Sequence, residues 1–206
     1  MRSLEIHVIT DDKQTVAELA KRIIFIHEEV DYLHIREKSK STAEIMEIVS
    51  IVHKNGVPKR KLVINDRMDV ALLNQIPNVH LPGHGFSIEK VKSFDPSIRV
   101  GRSVHSLQEA IDCEQAGADY LLFGHIFETS SKTKVTPRGV QQLSEICRRV
   151  DIPVIAIGGI VPETIPELVG VEISGIAVMS YVMASKKPND AIRELKQSVV
   201  YRGGVS

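Results

Sequence analysis

Apolar positions along the chain alternate between two periods. Leu4-Glu-Ile-His-Val-Ile-Thr10 reads as a strand, and Val16, Leu19, Ala20, Ile23 and His27 then recur at the spacing of one helical face. The same exchange repeats to the far end. Further strands are predicted at residues 32–36, 61–65, 78–81, 98–101, 119–124, 153–157 and 175–179. Between them, Ser41 with Glu44 makes a capping-box start for a helix whose inner face is Ile45, Ile48, Val49 and Val52, stopped by Gly56 and Pro58. Helices follow at 68–75 and 88–94, and from Ser106, with Glu109 as a second capping box, to Gln115, where Gly117 ends the run. Pro137 suits the first turn of a helix to Arg149, and the last helical segments fall at 162–169 and 190–199. Strands separated by helices require parallel crossovers, and eight such units close into a (β/α)8 TIM barrel more naturally than into an open doubly wound sheet. One domain over residues 1–206 is expected.

Composition narrows the partners. At 206 residues and 43% hydrophobic content the chain can bury one substantial core. Lysine plus arginine, 26, equals aspartate plus glutamate, 26, so no global field favours nucleic acid or an anionic membrane, and any anion site must be local. The start lacks a basic segment followed by an apolar one, and no apolar run approaches ~20 residues, which predicts a soluble, cytoplasmic protein. Cys113 and Cys147 fall in predicted helices without metal-ligand spacing, so neither metal nor disulfide is expected. The short aliphatic helices leave room for a homodimer.

Candidate chemistry gathers at the predicted strand ends, where α/β proteins place their sites. The strand before His125 discharges an imidazole into a polar loop with Thr129, Ser130, Ser131 and Lys132, which marks His125 as the first candidate for proton transfer. In His34-Ile-Arg-Glu-Lys38 the alternation puts His34, Arg36 and Lys38 on one side, a set suited to an anion, with His34 the second-choice proton carrier. Asn65-Asp-Arg67 offers an amide and a carboxylate, or a helix-capping turn. Gly158 and Gly159 follow the seventh strand, Met179 and Ser180 the eighth; barrels often bind phosphate there, so these four form a candidate phosphate cradle. His7 and His27 are expected on packing faces or the surface, and His80, His84 and His105 at strand ends.

Asn65-Asp-Arg, Gly101-x-Ser-x-His105, Ala116-Gly-Ala-Asp-Tyr120, Gly124-x-Ile-Phe-x-Thr-x-x-Lys132, Ile157-Gly-Gly-Ile160 and Gly175-x-Ala-Val-x-Ser180 together resemble the thiamine phosphate synthase superfamily over nearly the whole chain. Synthases carry Gln at the start of the strand-two motif, Pro after the strand-six glycine and a second Asp after strand four that helps hold magnesium and pyrophosphate; here those places hold His34, His125 and Gly85. The same departures resemble the TenI group, thiazole tautomerases, in which His replaces that Pro. That resemblance implies an isomerase without metal or organic cofactor, aromatising a carboxythiazole phosphate tautomer. His125 would act as base and then acid, the glycine loops would hold the phosphate, and Arg36, Lys38 or Lys132 the carboxylate, with Asn65 and Thr129 as further substrate contacts. The alternatives are a true thiamine phosphate synthase, a transferase joining pyrimidine to thiazole, and a catalytically silent barrel that binds thiazole phosphate and regulates.

Overall fold

A computed structural model describes residues 4–129 and 136–202, the last three as backbone. Eight parallel strands pair in sequence order and close, β8 returning to β1. They are β1 (Glu5–Ile9), β2 (Tyr32–Ile35), β3 (Leu62–Asn65), β4 (Asn78–Leu81), β5 (Arg99–Val104), β6 (Tyr120–Gly124), β7 (Val154–Ile157) and β8 (Gly175–Val178). Around them run α1 (Val16–Ile26), α2 (Thr42–Lys54), α3 (Met68–Leu73), α4 (Ile88–Phe94), α5 (Leu107–Gln115), α6 (Gly139–Arg149), α7 (Ser180–Met183) and α8 (Pro188–Arg202). This is the (β/α)8 barrel, not the open sheet. Among the described residues no helix is long and apolar enough to cross a membrane.

Each strand turns one set of alternate side chains outward. Val8, Leu33, Ile35, Ile64, Leu121 and Ile176 join the helix faces in one large outer core. The inward set divides the barrel interior. Ile9, Tyr120, Leu122, Ile155 and Ala177 pack together as a smaller apolar cluster. Against it stand polar groups from β1, β2 and β4, namely His7, His34 and His80, all buried. Such a half-polar interior departs from the branched aliphatic filling usual in these barrels.

Local chemistry sets the boundaries. Ser41 and Glu44 form the reciprocal capping box read from sequence, and Thr15 with Glu18 forms another at α1. Ser106 caps α5, but Glu109 reaches past it to the His105 N–H at 2.6 Å, so the second box is not closed. The helix predicted from Pro137 begins at Gly139, and that predicted at 162–169 is a 3-10 turn, Ile165–Leu168, with a proline in its opening positions. Strand β5 runs through Gly101 to Val104, because Arg102 and Ser103 still pair with β6. Asp119 ties this side together: its Oδ2 accepts from the Val100 N–H at 2.6 Å and from Lys92 Nζ at 2.5 Å. Cys113 and Cys147 are half-buried on α5 and α6.

Candidate active site

At the carboxyl ends of the strands lies a cavity of about 830 Å3, lined from all eight strand ends. Parallel strands all deliver their last inward residue and following loop to this one mouth, so residues far apart in sequence meet there. Arg36, Lys38, Asn65, His125, Thr129, Gly158, Gly159, Met179 and Ser180 all line it. Lys132 lies outside the described residues. His34 does not line the cavity: it sits beneath, with Nε2 2.9 Å from His7 Nδ1.

The β2 and β3 ends give the cavity a cationic wall. Arg36 is anchored through its backbone N–H, which donates to Thr10 Oγ1 at 2.8 Å. Lys40, absent from the sequence reading, also lines the cavity and is held by Glu37 at 2.5 Å and Asp12 at 3.6 Å. Although desolvation alone would lower it, Glu37 and then Asp12 raise the Lys40 pKa above its ordinary value. Arg67 is committed locally, donating to both carboxylate oxygens of Asp69 and to Thr42 Oγ1. Among the described residues, Arg36 and Lys38 form no ion pair, which leaves their charge for a ligand. Asn65-Asp-Arg is therefore not a side-chain cap: Arg67 occupies the N-cap position of α3 without a capping bond, and Asp66 has φ of 61°.

Across the barrel, β6 and β7 loops interlock. The Ile126 and Phe127 N–H groups donate to the carbonyls of Ile157 and Gly158, both at 3.0 Å. Gly158 and Gly159 have positive φ, and a Cβ at Gly158 would stand 2.3 Å from His125 Cβ, one at Gly159 2.3 Å from the Glu128 carbonyl oxygen. These glycines thus let the His125 loop approach, a second demand beside the predicted anion cradle. His125 itself is buried, and His105 Nδ1 donates to the Gly124 carbonyl beside it at 2.9 Å.

Below the cavity floor lies a polar line. His7 Nε2 stands 3.0 Å from Glu5 Oε2, so with the carboxylate accepting, His7 Nδ1 accepts in turn from His34 Nε2–H. His34 Nδ1 is left buried without a partner. Arg99 covers the bottom, its guanidinium 4.5 Å from the Tyr32 ring centre and 4.2 Å from that of Tyr120. Desolvation pushes His34 well below its ordinary pKa, and the neighbouring His7 and His80 rings and the Arg99 guanidinium act in the same direction, since each would repel a proton on His34. His80 is lowered to about 3, chiefly by desolvation. His7 is lowered by desolvation too, against the opposing pull of Glu5. The sequence expectation put His7 on a packing face or the surface; it belongs to this interior, and its alternation with Ile9 was the available signal.

The Thiamine monophosphate synthase family model matches residues 6–182. The chain belongs to that family. Thiamine-phosphate synthase from Pyrococcus horikoshii is 34% identical over 201 residues, 96% of this chain and 97% of that protein. The synthase from Chlorobium phaeobacteroides is 32% identical over 198 residues, covering 92% and 93%. The solved thiamine phosphate pyrophosphorylase from Pyrococcus furiosus superposes with a TM-score of 0.80 at 31% identity, covering 98% of both chains. A Vibrio cholerae 3-keto-L-gulonate-6-phosphate decarboxylase, at 13% identity and TM-score 0.75, shares the fold alone.

These relatives correct the sequence reading. Full-length similarity runs to proteins named as synthases, which are transferases, so the thiazole tautomerase assignment and the isomerase class fall, and the transferase alternative is the better supported.

Proposed function

We propose that this chain is a transferase of the thiamine-phosphate synthase type, joining a pyrimidine carried on a diphosphate to thiazole phosphate. In that step the C–O bond to the diphosphate breaks with its electron pair leaving on oxygen. The thiazole nitrogen supplies the pair for the new C–N bond. No proton needs to be carried, so His125 would serve as a buried wall of the cavity and not as base and acid.

The observation that carries this reading is one cavity with unpaired cations at the β2 end and, across it, Gly158 and Gly159 at the β7 end beside Met179 and Ser180 at the β8 end. Two anionic substrates need two separate anion sites, and the β2 and β7 ends lie three strands apart in the closed eight-stranded order, which leaves room for both. Arg36 and Lys38 would take the diphosphate; Gly158, Gly159, Met179 and Ser180 would take the thiazole phosphate through main-chain N–H groups. Thr129 would contact the rings or their tails.

The resemblance also implies magnesium. Asp66 lines the cavity beside Asn65, and a Cβ at Gly85 would lie 3.0 Å from Asp66 Oδ1, so the place of the second synthase carboxylate is beside it but empty of charge. Among the described residues no group of three or more His, Cys, Asp or Glu side chains could hold a metal alone. Magnesium commonly takes one or two protein carboxylates and completes its shell with substrate phosphate and water, so one carboxylate fits. Asp66 and Asn65 would hold the ion, which supplies charge neutralisation to the departing diphosphate.

Incubation with the pyrimidine diphosphate, thiazole phosphate and magnesium should yield thiamine phosphate and pyrophosphate. Ligand binding with no product over many hours would identify a silent binder and end the transferase reading.

A further inference from the structure

One hydrogen-bonded line at the cavity wall has no task in the bond-making step written above. His80 Nε2 lies 2.8 Å from Ser103 Oγ, and its Nδ1 lies 3.3 Å from the Tyr120 hydroxyl. His80 and Ser103 line the cavity, while Tyr120 is wholly buried behind them. The register explains how they meet. His80, Gly101 and Tyr120 are paired in one rung across β4, β5 and β6, and Ser103 is the next inward residue of β5 toward the mouth. A Cβ at position 101 would stand 2.0 Å from Tyr120 Cζ and 2.4 Å from its hydroxyl oxygen. Only glycine there lets the ring cross β5 to reach His80. This accounts for the Gly101-x-Ser103 spacing as one device: space for a phenol in one rung, a hydroxyl in the next.

The protons along this line can be placed. A neutral imidazole has one N–H, so two arrangements exist. In the first, the Tyr120 O–H donates to Nδ1, Nε2–H donates to Ser103 Oγ, and the Ser103 hydrogen is left for the cavity. In the second, Nδ1–H donates to Tyr120, Ser103 donates to Nε2, and the Tyr120 hydrogen needs another acceptor. Among the described residues Tyr120 has no other hydrogen-bond partner, and the guanidinium over its ring is a donor only. The second arrangement buries an unsatisfied O–H; the first strands nothing. Burial raises the Tyr120 pKa and lowers that of His80 to about 3, which keeps both neutral and limits the choice to these two arrangements.

We infer that Tyr120 and His80 are positioning residues that fix the Ser103 hydroxyl as a donor pointing into the cavity, toward an accepting ligand oxygen. With one lone pair of Ser103 accepting from His80, its hydrogen is turned away from the imidazole and toward the cavity, where a phosphate or diphosphate oxygen can accept it. The inference rests on the transferase reading only for the identity of that oxygen; the orientation belongs to the ligand-free protein.

The test uses the full chain labelled with 15N-histidine. Ring nitrogen shifts and couplings, assigned by comparison with His80→Gln, should show His80 as the Nε2–H tautomer, and Tyr120→Phe should convert it to a mixture of tautomers while thermal unfolding shows the fold retained. Inorganic pyrophosphate should bind Ser103→Ala about tenfold more weakly than the parent, and Tyr120→Phe about three- to tenfold more weakly. The double variant should bind no worse than Ser103→Ala alone, because Tyr120 acts through that hydroxyl. An Nδ1–H tautomer in the parent, or losses that multiply in the double variant, overturns the inference. These readouts need no turnover, so failure to form thiamine phosphate would count against the transferase reading and leave this one standing or falling on its own data.

Discussion

At Gly158 a side chain has nowhere to go. Its φ is 106° and a Cβ would sit 2.3 Å from His125 Cβ, so Gly158→Ala must shift the loop that carries His125. Backbone strain of this kind costs about 1–3 kcal/mol, and that loss should appear in urea unfolding. Unchanged stability would show that the two loops are not interlocked as described. Lys38 lies at the other side of the cavity, exposed and without an ion pair among the described residues. A charged hydrogen bond to the diphosphate is worth ~1.5–3 kcal/mol, so Lys38→Ala should raise KM for the pyrimidine diphosphate about 10- to 100-fold while leaving KM for thiazole phosphate near the parent value. Equal rises in both would remove Lys38 from the diphosphate site. Residue types at strand ends made Arg36, Lys38 and His125 legible from sequence. Lys40 and Glu37 were not, because their role depends on Asp12 arriving from the neighbouring loop.

The elements were legible where local chemistry alone fixes them. Ser41 and Glu44 satisfy each other's backbone neighbours, with Ser41 N–H donating to Glu44 Oε2 at 2.8 Å, so the start of α2 is written within a few residues. Ser41→Ala should therefore cost about 1 kcal/mol in urea unfolding. A cost below the error of that measurement would mean α2 is held by packing alone. Where a tertiary partner competes, the local reading slips. Glu109 is drawn to the His105 N–H instead of its own cap, and β5 continues past Gly101 because both neighbouring strands pair with it. Gly101 looked like a strand end; it is a gap made for Tyr120.

The whole molecule carries three neutral histidines inside its barrel. Their ordinary pKa is 6.5, and all three are lowered by desolvation first of all. Below pH ~6.5 the unfolded chain binds protons that the folded chain refuses, so stability should fall as pH drops through 6 toward 5, by up to ~1.4 kcal/mol per pH unit for each histidine. Carboxylates with lowered pKa values, such as Asp12 and Asp69, act separately and at lower pH, below ~4. Urea unfolding at pH 8 and at pH 5.5 checks this, and His34→Leu should flatten the difference. Equal stability at both pH values would show that these rings are hydrated or charged in the folded state.

The order of strands and helices, the barrel class, most helix starts and the strand-end candidates were determined by the sequence itself, because periodicity, capping and turn chemistry act over a few residues. Closure of the barrel decided the rest. It brought His7, His34, His80 and Tyr120 from four strands into one interior, made His34 part of the floor and not the wall, and turned Gly101 and Gly158 into spaces for distant side chains. A strand's alternation tells which side chains share a face, but only the register between strands tells which of them touch.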